Sequence, residues 1–212
     1  MSKQEIAVEE LFGLTYWPPV PATLVSTLHD DGTPNVAPFS LVCFAGYSNV
    51  EEWDQTRKGL MLALGDYESS EAIKTKATYK NIARDGEFVV NIPSSSLVLE
   101  LITGTARQKG QDKVVFAGLT PEPSSVVGPP GVKECSISYE CRKLSIQDLG
   151  MGHEIVWGEL VGAGVEKGLL EADDHIERMK MIDPIFHYAY DEENGTFYGL
   201  GPVLREENPH RD

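Results

Sequence analysis

The feature that most constrains this fold is a series of short apolar runs, rich in β-branched residues and separated by turn signals. The run Ala22–His29 is followed by the turn Asp30-Asp31-Gly32-Thr33 and then by a second run, Asn35–Phe44, which together predict a β-hairpin. Similar runs recur along the chain at Leu60–Leu64, Glu87–Ile92, Cys135–Leu144, His153–Val165 and Thr196–Leu204. Many antiparallel strands with short helices between them predict a mainly β fold, a closed or nearly closed barrel.

Helical signals are few and short. Thr78 is a good N-cap for a helix over Tyr79–Arg84, which Asp85-Gly86 would end. The other candidate helices are Leu97–Ala106, Asp112–Ala117 and Asp173–Met181. The Pro- and Gly-rich segment Pro121–Gly131 is expected to be a surface loop, since strands are predicted on both sides of it. We therefore expect one domain over residues 1–212, with a polar tail that frays from about Arg205.

Charge and length exclude several classes of function. The chain has 212 residues, with 18 Lys and Arg against 33 Asp and Glu, a formal net charge of −15. Such an acidic surface repels the phosphate backbone of nucleic acid and the headgroups of anionic membranes. We therefore expect neither nucleic acid nor a membrane among its partners.

The expected redox compartment follows from the start of the chain and the cysteines. No run approaches the roughly 20 apolar residues that a membrane-spanning helix needs, and the start Met1-Ser2-Lys3-Gln4-Glu5 does not resemble a secretory signal. Cys135 and Cys141 would lie about 20 Å apart on one straight strand, too far for a disulfide. We expect a cytoplasmic protein whose three cysteines are free thiols in the core.

The segment Lys74–Arg84 is the most informative for function. Four of the 18 basic residues fall within these eleven positions. They flank a predicted helix N-terminus, where backbone N–H groups and the helix dipole favour an anion. Lys76 and Thr78 would add a charge and a hydroxyl there, and Asn81 lies on the same helical face as Thr78. A terminal phosphate fits such a site; the alternative is a capped helix with solvated lysines.

The segment Gly32–Ser40 is the second candidate. Pro34 and Pro38 cannot donate ladder hydrogen bonds, so this strand is expected at a sheet edge or at a bulge. Backbone groups left free there could contact a ligand, with Asn35, Phe39 and Ser40 adding polar and aromatic side chains. The alternative is an edge that its prolines protect against pairing with another chain.

Two histidines are weaker candidates. His153 opens a predicted strand and His187 lies in another, and either could bind a cofactor or relay a proton, although a structural role is the simpler interpretation. No histidine or cysteine spacing resembles a metal site, so we predict none. The sequence also lacks the glycine-rich dinucleotide and phosphate loops and the nucleophile elbow of α/β-hydrolases.

These segments resemble, in order and across most of the chain, the FMN-binding split-barrel family of flavin reductase-like proteins, of the flavoredoxin type. The matching segments are Pro21–Thr27, Gly32–Ser40, Lys76–Ile82, Gly86–Pro93, Phe116–Thr120, Glu140-Cys141, His153–Glu159, Asp183–Tyr188 and Tyr198–Gly201. No single segment is specific; their order and spacing together carry the resemblance.

The resemblance implies a homodimer of split barrels with FMN near the subunit interface. It implies that Lys76, Thr78 and Asn81 hold the phosphate, and that His153 lies near the flavin ring as a candidate catalytic residue. The ring would lie against the strand segment whose members are Asn35, Ala37, Pro38, Phe39 and Ser40.

The activity that this family implies is oxidation of NADH or NADPH through FMN, with electrons passed to free flavin or another small-molecule acceptor. FMN supplies the redox chemistry, so the chain needs no nucleophile of its own. One alternative is a non-catalytic flavin carrier or sensor on the same barrel. Another is a split-barrel enzyme with a different cofactor, such as a relative of pyridoxamine-phosphate oxidase.

Overall fold

A computed structural model describes Glu5, Ala7 and residues 20–45, 58–65, 70–98, 112–150, 153–190 and 195–201. Its strands are β1 Val20–Pro21, β2 Thr23–Leu28, β3 Pro34–Phe39, β4 Val42–Ala45, β5 Gly59–Gly65, β6 Glu87–Ile92, β7 Pro121–Glu122, β8 Gly131–Val132, β9 Ile137–Asp148, β10 His153–Val165, β11 Phe186–Tyr190 and β12 Gly195–Tyr198. Its helices are α1 Ser70–Thr75, α2 Ala77–Asp85, α3 Lys113–Phe116, α4 Lys167–Glu171 and α5 His175–Ile182, with a 3₁₀ turn at Ser95–Leu97.

The main sheet has seven antiparallel strands in the order β3-β2-β6-β9-β10-β5-β4. Its two edge strands, β3 and β4, are neighbours in sequence and are joined only by Ser40 and Leu41. Such a link spans at most roughly 10 Å, so the sheet must curl until its edges approach each other. This is the predicted split-barrel fold, mainly β with few helices, and that prediction is confirmed.

The prediction of one continuous strand over Asn35–Phe44 is wrong. The segment divides at Ser40-Leu41 into β3, which pairs with β2, and β4, which pairs with β5 on the opposite edge. Periodicity alone could not place this break, because the apolar pattern continues on both sides of it. The expectation that the two prolines of this segment lie on an edge strand is confirmed, since Pro34 and Pro38 both belong to β3.

All seven strands of the sheet contribute to one interior. Its buried members are Val25, Val42, Leu60, Leu62, Leu64, Ile73, Ile82, Phe88, Val90, Cys141 and Val156, with Phe39 from β3 packed against them. Gly158 is needed here, because a Cβ at this position would lie 2.7 Å from Cζ of Phe88. The interior is thus filled by side chains, and the outer surfaces of the sheet remain for other contacts.

Strand β5 and the first half of β10 alternate strictly between this interior and the outside. The even-numbered residues of both strands are buried, whereas the odd-numbered ones are half-buried and point outward. Cross-strand pairs Met61–Trp157, Ala63–Ile155 and Gly65–His153 therefore share the outer face. We call this surface, from Leu41 and Cys43 to Ile155 and Trp157, the outer apolar face.

A second apolar cluster lies outside the barrel, where the other side of β2 and β3 meets the later segments. It contains Ala22, Leu24, Val36, Leu97, Val114, Ala117, Leu119, Val132, Cys135 and Ile185. The small sheet β1-β11-β12 and the ribbon β7-β8 are separate from the main sheet.

The predicted loop Pro121–Gly131 is a loop only over residues 123–130, because its two ends belong to the paired strands β7 and β8; this loop is anchored to the main sheet. Glu140 is only 3% exposed, and its carboxylate accepts backbone N–H bonds from Ser125, Val126 and Val127 at 2.9, 2.6 and 3.2 Å. Glu87 accepts a fourth from Gly128 at 2.9 Å. Two carboxylates of the sheet thus replace the backbone partners that a loop lacks.

Helix positions were predicted to within a few residues. Asp112 caps α3 through the N–H groups of Val114 and Val115, and Asp174 caps α5 in the same way. Helices α1 and α4 were not predicted. Most of the candidate helix Leu97–Ala106, the segment 202–204 of the last predicted strand and the polar tail lie outside the described residues.

The cysteines are free, as expected, but only two are in the core. Cys135 and Cys141 are buried, and burial raises the pKa of both thiols, whereas Cys43 is exposed on edge strand β4. Within the part of the chain that the structure describes, no helix is long and apolar enough to cross a bilayer.

The carboxylate of Glu140 gives a test of this fold. We expect Glu140→Ala to lower the free energy of unfolding by about 2–4 kcal/mol, because three backbone N–H groups lose a charged acceptor. Glu171→Ala is the matched control, since Glu171 is an exposed partner of Lys167 and its loss should cost less than about 0.5 kcal/mol. Urea unfolding of both variants measures this, and equal effects would contradict the anchoring role of Glu140.

Candidate functional site

The start of helix α2 combines several sources of positive potential. Lys76 is the N-cap residue, with extended backbone, and its own side chain makes no capping hydrogen bond. The first intrahelical bond runs from the N–H of Lys80 to the carbonyl of Lys76 at 3.1 Å, so the three preceding N–H groups have no helical acceptor. The first turn contains no acidic residue. The helix dipole and the Lys76 ammonium therefore both favour an anion here.

The predicted N-cap, Thr78, is inside the helix instead, and this prediction is wrong. The helix begins at Ala77, so Thr78 occupies its second position. Its hydroxyl accepts a hydrogen bond from Nδ2 of Asn35 at 3.3 Å and does not cap the helix. The tertiary contact with β3 therefore outcompetes the local capping interaction on which the prediction rested.

Four buried polar residues connect α2 to strands β2 and β3. The amide Nδ2 of Asn35 also donates to Oγ1 of Thr27 at 3.0 Å, and Nδ2 of Asn81 donates to the same oxygen at 2.9 Å. Thr27, Asn35, Thr78 and Asn81 are each at most 3% exposed. We call this group the amide–hydroxyl cluster. Oδ1 of Asn35 is buried and finds no hydrogen-bond partner among the described residues.

A second group, Gly65, Lys76 and His153, meets at the end of β5. Nζ of Lys76 donates to the carbonyl of Gly65 at 2.6 Å. His153 is the cross-strand neighbour of Gly65, and its imidazole lies directly over the glycine α-carbon. We call this group the lysine–histidine corner. It brings the predicted phosphate-binding cation and the candidate catalytic residue to one peptide unit.

Strand β3 alternates between two environments. Asn35, Ala37 and Phe39 share one face and pair with Thr27, Val25 and Thr23 of β2, whereas Pro38 points to the other face. The carbonyl of Phe39 accepts the hydroxyl of Thr23 at 2.8 Å. Ala37, Pro38, Phe39 and Ser40 are all partly exposed, at the edge where the sheet turns toward β4.

The structure therefore joins most of the predicted site residues. Asn35, Thr78 and Asn81 belong to the amide–hydroxyl cluster, and Lys76 and His153 belong to the lysine–histidine corner. The two groups are linked through the first residues of α2. Sequence reasoning assigned no role to Thr27 or Gly65; the only signal for Gly65 was a glycine at the end of an otherwise apolar strand.

The other histidines lie elsewhere. His187 is on β11 and packs against Phe197, with ring centroids 5.5 Å apart. His29 is half-buried beside the turn after β2, and His175 is exposed at the start of α5. No group of three or more His, Cys, Asp or Glu in the described ranges is arranged to hold a metal ion.

Comparison with known proteins decides the family. A family model described as a flavin reductase like domain matches residues 60–188. The chain belongs to the flavin reductase-like family. A curated relative, an uncharacterized protein of Aquifex aeolicus, is 32% identical over 163 residues, which cover 76% of this chain and 77% of the relative.

Three solved structures are similar to this chain in fold. A split-barrel protein of Shewanella frigidimarina has a TM-score of 0.74 at 22% identity and covers 96% of this chain and 94% of its own. Flavoredoxin of Desulfovibrio vulgaris (Miyazaki F) has a TM-score of 0.72 at 22% identity and covers 99% of both chains. An FMN-binding domain of a flavin reductase-like enzyme from Shewanella baltica has a TM-score of 0.64 at 18% identity, with 88% and 89% coverage. At these identities the likeness establishes the fold alone.

Part of the described site lies inside the range that the family model matches, and part lies before it. Lys76, Thr78, Asn81 and His153 lie inside the matched range 60–188, whereas the β3 segment 35–40 precedes it. The family match therefore includes the whole lysine–histidine corner and half of the amide–hydroxyl cluster.

The amide–hydroxyl cluster predicts a measurable contribution to stability. We expect Thr78→Val, which keeps the shape of the side chain, to lower the free energy of unfolding by about 1 kcal/mol, because Asn35 loses a buried acceptor. Thr120→Val alters an exposed threonine and should change the free energy of unfolding by less than about 0.5 kcal/mol. Chemical denaturation compares the two, and no difference between them would mean that the Asn35–Thr78 bond contributes nothing.

Proposed function

We propose that this chain binds FMN and works as an oxidoreductase that passes electrons from NADH or NADPH to free flavin or another small-molecule acceptor. The observation that carries the proposal is the start of α2, where the first-turn N–H groups have no helical acceptor and Lys76 lies beside them. A helix N-terminus and a lysine ammonium are both positive, so together they attract an anion. A monophosphate would supply that anion.

The residues around this helix start fit a terminal phosphate. The N–H groups of the first turn and the Lys76 ammonium would bind its oxygens. Thr78 and Asn81 would hold the helix start against β2 and β3 from beneath, so that these donors are preorganised. The buried, unsatisfied Oδ1 of Asn35 adds a polar atom that a ligand or an ordered water at this site could satisfy.

The flavin ring would lie between the outer end of β3 and the lysine–histidine corner. Ala37, Pro38, Phe39 and Ser40 would contact it from the edge strand, and His153 would exchange protons near it through its imidazole. FMN, when bound, supplies the hydride and electron chemistry. The residues of the chain would bind FMN, orient its ring and exchange protons with it.

Lys76 gives the sharpest test of the phosphate site. We expect Lys76→Met to weaken FMN binding about 10- to 100-fold, the value of one charge-assisted hydrogen bond. Riboflavin, which lacks the phosphate, should bind wild type and variant equally. Fluorescence titration measures both ligands.

Lys80→Met is the matched control, because Lys80 is exposed one turn along the same helix and its loss changes the net charge equally. It should leave FMN affinity within about threefold, as expected for a screened surface charge. Equal FMN affinity of wild type and Lys76→Met would contradict the phosphate assignment.

Turnover separates an enzyme from a carrier. Under our proposal the FMN-loaded protein consumes NADH or NADPH when free flavin is added, and flavin absorption bleaches during the reaction. A yellow protein that never turns over would instead be a flavin carrier or sensor. If extraction identified a bound cofactor other than FMN, the chain would instead be a split-barrel enzyme that uses a different cofactor.

We further propose that two copies pair through the outer apolar face. Leu41 is 43% exposed there, and Met61, Ala63, Ile155 and Trp157 lie half-buried beside it. An apolar sheet face of this kind is typical of an interaction surface. Because His153 and Gly65 share the face, a second copy would lie next to the proposed flavin site.

Light scattering tests the homodimer. Wild type should have twice the 23.3 kDa mass of one chain, and Leu41→Glu should shift it toward the monomer, because a buried charge opposes association. Leu170→Glu, at a leucine 69% exposed on α4, is the control and should stay dimeric. A monomeric wild type would overturn this proposal.

We also propose that the partners of this chain include neither nucleic acid nor membranes, which its net charge of −15 supports. The three free cysteines support a cytoplasmic location.

A further inference from the structure

Gly65 has no room for a side chain. A Cβ built on its backbone would lie 2.7 Å from Nε2 and 2.8 Å from Cδ2 of His153. Both distances are shorter than real Cβ contacts, so the imidazole occupies the volume that any other residue would need. Gly65 is not among the residues with positive φ, so space rather than backbone conformation requires the glycine.

The same residue also contacts the candidate phosphate-binding cation. Its carbonyl accepts the 2.6 Å bond from Nζ of Lys76. Gly65 therefore contacts the His153 imidazole at its α-carbon and the Lys76 ammonium at its carbonyl oxygen. Through Gly65, the positions of His153 and Lys76 relative to each other are fixed by strand β5.

Other glycines of this chain make similarly close approaches, and they help to separate a packing role from a functional one. Gly158 lies beneath Phe88 inside the barrel, where the neighbour is an apolar ring and the role is packing. Gly65 differs because its neighbour is a titratable side chain on the outer face. Gly164, on the same strand as His153, has its nearest neighbour, Cβ of Ser138, at 3.9 Å.

We propose that Gly65 is a positioning residue, which seats the His153 imidazole and thereby sets its place relative to Lys76. The roles of His153 and Lys76 rest on the proposed function. The close packing of the His153 ring against Gly65, however, is a property of the chain without ligand. Any side chain at position 65 displaces the imidazole from the corner.

The first test uses flavin-free protein. In Gly65→Ala, the NMR signals of the His153 ring, identified by their loss in His153→Gln, should move. Gly164→Ala adds the same methyl group to β10 where there is room, and should leave these signals in place. Unchanged His153 signals in Gly65→Ala would overturn the proposal.

The second test is a double-variant cycle on FMN affinity. Gly65→Ala should weaken FMN binding about 2- to 10-fold, the range that a displaced side-chain rotamer produces. In a His153→Ala background the same change should have no further effect, because the ring that it displaces is gone. Equal weakening in both backgrounds would overturn the proposal.

Folding of the variants is informative as well. Gly65→Ala is compared with Gly65→Ala/His153→Ala if the single variant does not fold. Folding of the double variant would support the proposal that the His153 ring occupies the space of a Cβ at position 65. Failure of both variants to fold would show that another group excludes the Cβ, and would overturn the proposal. If wild type binds no FMN, the proposed function fails, while the NMR comparison still decides the role of Gly65.

Discussion

The two-residue connection between β3 and β4 is the constraint on which this structure depends. Because Ser40 and Leu41 join the two edges of a seven-stranded sheet, that sheet must curl, and its inward side chains must fill one interior. The curl also creates an outward surface on β5 and β10, where alternation places His153 and Gly65. The site is thus a consequence of closing the sheet.

Helix α2 lies where this closure brings β2, β3 and β5 close together. Its buried face is fixed on β2 and β3 by hydrogen bonds among Thr27, Asn35, Thr78 and Asn81, whereas Lys76 reaches across to β5. The same helix start therefore has a rigid support and a positive potential from the helix dipole and Lys76. A rigid, preorganised set of donors binds an anion without first paying for its own ordering.

Most of the barrel could be predicted from the sequence, because strands and their turns are local patterns. The bounds of β6 and β10 agree with the apolar runs Glu87–Ile92 and His153–Val165. The site was predicted less completely. Lys76 and His153 were chosen on separate grounds, and nothing local indicated that they meet at Gly65. Thr78 was expected to cap its own helix, because the competing partner, Asn35, is 43 residues away.

By itself, the sequence determined the elements, since alternation, proline and capping residues act within a few positions of the chain. It also determined the acidic charge and the basic segment around Lys76. Only the tertiary structure decided which edge of the sheet each half of Asn35–Phe44 joined, and which side chains met at the start of α2. These are long-range contacts, and their geometry depends on how the sheet curls, which no local pattern encodes.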